Sequence, residues 1–368
     1  MNDIVTIPSP FKVSDYDYCS IYTSLRGSSL SEVLLLGAFD SIQTSPEISI
    51  IDSARQADCF FERFGVGNLY VGIDRPFERF RAYELLLGIL AGHNKSKYKQ
   101  IHKGIPYYFL GWTAFQIENY GKGIYYIDQA IAEDVKKSET QDMSIIRQNP
   151  AVRSFLLDPQ SNSTGVAMDL VLRGEMDATF QRFTSNSGAD LDTNTFVEKF
   201  ILGSGDFLSS EFRTIVTCMY SFVLEYHTLV TALKLRSGHG GSLEPFFLHL
   251  FKGSLLLESI LKLKCPQDTL TIGDAISFLG KRLLINAKDY PRKCTLTQVV
   301  QYAYKTKTGE VTFQNRAFGV AYGIRNTTGH KLTWSDVFRN DVNVYDNLYY
   351  QTLNAILWSI YKLWAEEA

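Results

Sequence analysis

Apolar side chains recur along this chain at helical spacing, most clearly in its second half. The last segment places Leu353, Ile356, Leu357, Ile360 and Trp364 at offsets 0, 3, 4, 7 and 11, a stripe that one face of a helix turns toward a core. Comparable patterns predict helices over 212–235, 243–262, 270–284, 296–304 with 313–328, and 345–364. Gly238-His239-Gly240-Gly241-Ser242 breaks the first two apart. Long helices with short breaks predict an antiparallel bundle. In the first half the clearest helix is 75–90, and residues 105–133 predict a helix pair around a polar turn at Glu118-Asn119-Tyr120-Gly121. Residues 1–70 carry no comparably clear pattern. Polar, turn-rich stretches lie at 149–165 and 184–195. Placing the boundary in the second predicts a mostly helical N-terminal domain over 1–190 and a helical bundle over 195–368, a mainly α protein.

Composition adds limits rather than a function. Of the 368 residues 45% are hydrophobic and 21% charged, as in ordinary packed proteins. The formal net charge is -2, so a nucleic-acid partner would need a local basic patch rather than a global positive field. The cysteines, Cys19, Cys59, Cys218, Cys265 and Cys294, never form a C-x-x-C pair, which suggests neither a disulfide framework nor a zinc site. The chain shows no long apolar run and no basic start followed by an apolar stretch; the expectation is a cytoplasmic protein without membrane contact, metal or cofactor.

Within 105–133, Leu110-Gly111, Tyr120, Gly123, Ile127 and Ala130 fall at the offsets of a tetratricopeptide repeat. Small residues at Gly111, Gly123 and Ala130 let two helices approach closely while aromatics fill the space toward neighbours. The pair resembles one repeat of that family, and no second copy with these offsets is visible. The resemblance implies an interaction or sensor role for the N-terminal domain, with a protein or nucleotide regulator as its ligand.

The chemistry-bearing segment is Gly323-Ile324-Arg325-Asn326-Thr327-Thr328-Gly329-His330. Its Arg followed by Asn, with four residues before a His, lies in the penultimate helix of an all-helical C-terminal region. The segment resembles the HEPN ribonucleases, which carry an Arg-x4-6-His motif near the end of a helical bundle. Residues five apart on a straight helix diverge by about 140°; Gly329 suits a left-handed turn that ends the helix and brings His330 back toward Arg325. A helix C-terminus also favours the protonated imidazole. Gly319 and Gly323, one turn apart, offer a smooth strip to another helix, within the bundle or in a dimer.

Glu258 sits on the otherwise apolar segment 246–259 and needs a partner. Arg325 is one candidate; Lys252 and Lys262 are others. Metal-free RNA cleavage requires a proton taken from the 2′-hydroxyl, charge stabilised on phosphorus, and a proton given to the leaving 5′-oxygen. His330 suits a proton transfer, Arg325 the phosphate oxygens, and Asn326 the phosphate or the imidazole. Glu258 and Gly329 support them, and Lys331 and Trp334 are candidate RNA contacts. One His does not easily serve as both acid and base, so two motifs facing each other in a homodimer or higher homo-oligomer complete the expected site. The resemblance implies that composite site, cyclic 2′,3′-phosphate products, and a toxic effector of bacterial stress response or anti-phage defence. The rival expectation is a non-catalytic helical adaptor that dimerises through its C-terminal bundle and binds a partner protein. No dinucleotide loop, G-x-x-x-x-G-K-[ST], H-E-x-x-H or G-x-S-x-G pattern occurs.

Overall fold

The computed structural model describes residues 32–44, 47–63, 76–137, 143–158, 166–235, 242–266, 271–286, 290, 295–304, 311–328 and 342–366. Among these the chain is helical, with no strand. It divides into two compact units, 1–170 and 171–368.

The first unit contains α1 (Glu32–Ser41), α2 (Ile50–Phe61), α3 (Pro76–His93), α4 (Lys95–Gln100), α5 (Gly104–Gln116), α6 (Tyr120–Lys137), α7 (Met143–Ile146) and α8 (Pro150–Phe155). Local chemistry sets several starts. The Ser49 and Asn94 side chains accept from the third amide of α2 and α4, satisfying donors that a helix leaves unpaired, and Pro150 opens α8 where no amide hydrogen is needed. Leu35, Phe39, Phe61, Leu86, Leu90 and Leu110 form the buried centre. The helices α5 and α6 make the hairpin expected over 105–133. A Cβ on Gly111 would lie 2.8 Å from Ile127 Cδ1 and 3.0 Å from the Gly123 carbonyl, and one on Gly123 would lie 2.5 Å from the Phe115 ring. Only glycine permits backbones this close.

The second unit begins within α9 (Val166–Ser187) and continues through α10 (Thr193–Thr195), a π-helical stretch Phe196–Leu202, α11 (Ser210–Lys234), α12 (Glu244–Lys262), α13 (Ile272–Leu279), α14 (Leu296–Ala303), α15 (Phe313–Thr328), α16 (Val342–Ile360) and a terminal π turn Tyr361–Ala365. The division thus falls ahead of the 184–195 stretch. Although that stretch is polar, α9 runs through it to Ser187 because Phe180 and Phe183 are buried there, against Phe196 and Phe313 respectively.

Side-chain neighbours give the directions of the helices. Phe222 and Tyr226 of α11 meet Tyr349 and Tyr345 of α16 in reversed order, so these two helices are antiparallel. His249, Gly253 and Lys264 meet Tyr345, Thr352 and Trp364 in the same order, so α12 runs with α16. Phe313 at the start of α15 touches Trp358 near the end of α16, while Arg325 near its end reaches Phe251 and Glu258 of α12. α15 therefore runs against both. Capping boxes at Thr271/Asp274 and Thr295/Gln298 fix the starts of α13 and α14. The helix expected over 270–284 ends at Leu279 and gives way to a turn. Gly319 receives the Tyr302 ring of α14, so that end of the small-residue strip is filled from within the unit.

Candidate functional site

Glu258 lies one turn from the end of α12 and is 7% exposed. Its neighbours Leu256, Leu257, Ile260 and Leu261 are buried, and a lone carboxylate in that setting is costly. Two cations answer it. Arg325 Nε donates to Oε2 at 2.8 Å, and Lys262, one turn further along the same helix, donates to Oε1 at 2.7 Å. Lys252 instead pairs with Glu225 of α11 at 2.9 Å. Both carboxylate oxygens are thus held, and Glu258 is a rigid bracket for Arg325.

Arg325 itself is about one third exposed, with its guanidinium carbon 5.2 Å from the Phe251 ring centroid. The ring and the carboxylate together restrict its rotamers. Among the described residues its terminal Nη groups make no hydrogen bond, so the fork that would grip a phosphate is not committed to any of them. Asn326 follows in the last turn of α15 and is half-buried. Thr327 donates its hydroxyl to the Gly323 carbonyl at 2.6 Å, and α15 ends at Thr328. Gly329, His330, Lys331 and Trp334 lie outside the described residues. Arg325 and Glu258 are brought together, and Asn326 adjoins them.

Two histidines sit in contrasting environments elsewhere. His249 is 3% exposed; its Nε2 faces the Phe222 carbonyl at 2.8 Å and its Nδ1 the Tyr345 hydroxyl at 2.7 Å. A carbonyl can only accept, so Nε2 carries the proton and Nδ1 accepts from Tyr345. The ring stacks on Phe222 and Tyr349. Burial, aided by the charge on Lys252 and offset in part by the Phe222 bond, lowers its pKa to about 3, and the ring is a neutral packing element. Tyr345 and Tyr349 are buried in the same cluster.

In the first unit His102 is bracketed by two carboxylates, with Nδ1 at 2.8 Å from Asp58 and Nε2 at 3.1 Å from Asp134. Burial opposes its charge, but the hydrogen bonds and charges of Asp134 and Asp58 outweigh it and raise the pKa to about 9. Beside it the buried Lys103 amine donates to the Ile101 carbonyl at 2.6 Å and pairs with Glu133 at 3.1 Å. This polar knot ties α2, the start of α5, and α6. Its members come from positions 44 and 32 residues away from His102, and no short motif announces it. Among the described residues, no group of three His, Cys, Asp or Glu side chains is placed to hold a metal ion, and no helix is long and apolar enough to cross a membrane. Comparison of the chain with protein-family models, with curated proteins and with solved structures found no match.

Proposed function

We propose that this protein is an endoribonuclease of the HEPN type, with Arg325, Asn326 and His330 as its catalytic residues. The observation that carries the reading is the guanidinium of Arg325, anchored through Nε in the last turn of α15, a helix that ends at Thr328 immediately before Gly329-His330 in the sequence. An arginine fixed through Nε keeps both Nη groups for a fork on phosphate oxygens, and its geometry is set before substrate arrives. His330 acts on a proton of the 2′-hydroxyl or of the leaving 5′-oxygen, and Asn326 holds the phosphate or the imidazole. A second copy of the motif in a homodimer supplies the other proton transfer. These groups suffice without a metal. The N-terminal unit serves as a regulatory domain for a toxic effector of stress response or anti-phage defence, a role that rests on resemblance.

The direct test is the product. Incubation of the purified chain with RNA in the presence of a chelator is expected to give 2′,3′-cyclic phosphate ends. Intact RNA, or 3′-hydroxyl ends, would overturn the reading. A non-catalytic adaptor is the second reading, favoured by Leu248 and Leu255, which lie two turns apart on α12 at 47% and 37% exposure; it predicts partner binding without cleavage.

A further inference from the structure

Asp169 lies in the first turn of α9 and is 1% exposed. Glu258, His102 and Lys103 are also buried, and each has a partner of opposite charge. Asp169 has none. Among the described residues neither of its carboxylate oxygens meets a hydrogen-bond donor. Groups that could serve are committed elsewhere. The Ser154 hydroxyl donates to the Pro150 carbonyl at 3.1 Å, and Arg173, one turn further along α9, pairs with Asp177 at 3.6 Å. An ionised carboxylate enclosed without a donor is costly, whereas the neutral acid is much less so. The conformation described is therefore that of the protonated side chain.

The turn that follows α8 is under strain as well. Leu157, itself 1% exposed, holds φ at 57°, a left-handed backbone that leucine adopts only at a cost. Burial of Leu156, Leu157 and Met168 offsets both penalties. A charge appearing on Asp169 thus acts on a segment already held in an unfavourable conformation. Among the described residues the charged groups around it are Asp158, just past Leu157, and Arg173, which Asp177 holds. Burial raises the Asp169 pKa to about 6, the Ser154 hydroxyl offsets part of this, and the negative charge of Asp158 adds to it.

We propose that Asp169 is a proton switch on α9: protonated, it lets the first turns of the helix pack, and ionised, it drives them into solvent. The two compact units divide at residue 170, so the segment that opens is the start of the helix in which the second unit begins. The proposal depends on neither the nuclease nor the adaptor reading. A pKa above the ordinary 3.8 means that the packed state holds the proton more tightly than the open one. The stabilisation is complete below pH 3.8 and is lost as pH rises through about 6. A shift of about two pH units changes the opening equilibrium about a hundred-fold.

The test is hydrogen–deuterium exchange of the whole chain between pH 5 and 8, read by mass spectrometry on peptides spanning 166–176 and corrected for the intrinsic pH dependence of amide exchange. Wild type is compared with Asp169→Asn, which is neutral throughout; contributions of His102 and His249 are common to both proteins and cancel in the ratio. Protection in Asp169→Asn relative to wild type is expected to be near equal at pH 5 and to grow toward about a hundred-fold at pH 8, with its midpoint near pH 6. Asp169→Ala provides the same comparison should the amide fail to pack. A ratio that stays constant over this range overturns the proposal, because the carboxylate would then remain ionised and enclosed. A ratio that titrates equally in peptides of α5 and α12 also overturns it, since Asp169 would then act on global stability rather than as a local switch.

Discussion

Arg325 and Glu258, 67 residues apart in the chain, meet through a 2.8 Å bond between Nε and Oε2. The pair joins α15 to α12 and sets the direction of the guanidinium. Replacing Glu258 with Gln keeps the shape, removes the charge and loosens both cations. A hydrogen bond to a charged group contributes about 1.5–3 kcal/mol, and solvent at the partly exposed Arg325 and Lys262 reduces this. Glu258→Gln is therefore expected to lower stability by about 1–2 kcal/mol in denaturant titration and, on the proposed function, to slow RNA cleavage more than it weakens RNA binding. Equal loss in both would assign Glu258 to folding only.

His102 gives the first unit an alkaline sensitivity. Its pKa is raised from 6.5 to about 9 in the folded chain, so the folded state holds the proton more tightly than the unfolded one. The resulting stabilisation is complete below pH 6.5 and disappears as pH rises through about 9, with an amplitude of about 3 kcal/mol. Melting curves between pH 6 and 10 are expected to show this decline, and His102→Gln to flatten it.

His249 works in the opposite direction on the second unit. Its pKa is lowered to about 3, so the unfolded state binds the proton more readily between pH 6.5 and 3. Stability of this unit is expected to fall as pH drops below 6.5. His249→Phe removes that dependence while losing the bonds to Phe222 and Tyr345. The two histidines thus predict separate acid and alkaline transitions, distinguishable by the fluorescence of tryptophans in each unit.

Gly253 tests the packing of the bundle. A Cβ there would overlap the Phe222 ring and lie 3.0 Å from Thr352 Cγ2, and both of those residues are buried. Overpacking of this kind costs about 1–3 kcal/mol. Gly253→Ala is therefore expected to lower the melting temperature despite alanine's better helix propensity; a higher one would show that the three helices can part at no cost.

What the sequence made legible follows from distance along the chain. The helices of the second unit announce themselves through local periodicity, and the α5–α6 hairpin through Gly111 and Gly123, whose small size has meaning only at a close crossing. Glu258 was conspicuous because an apolar helix gives a carboxylate nothing to bond, and both Arg325 and Lys262 were among its candidate partners. The His102 knot had no such signal, since each of its bonds joins remote elements. The extent of α9 was hidden for another reason: the polar letters from Thr184 suggest a break, whereas the buried Phe180 and Phe183 keep the helix going to Ser187.

The central claim is that Arg325 takes part in cutting RNA rather than only bridging two helices. Its most direct test is the single-turnover cleavage rate of Arg325→Lys against wild type, in chelator, with melting temperature measured alongside. Lysine keeps the charge beside Glu258 but loses the planar fork. The account predicts a rate at least a hundred-fold lower at nearly unchanged stability; an equal rate in a folded variant would contradict it.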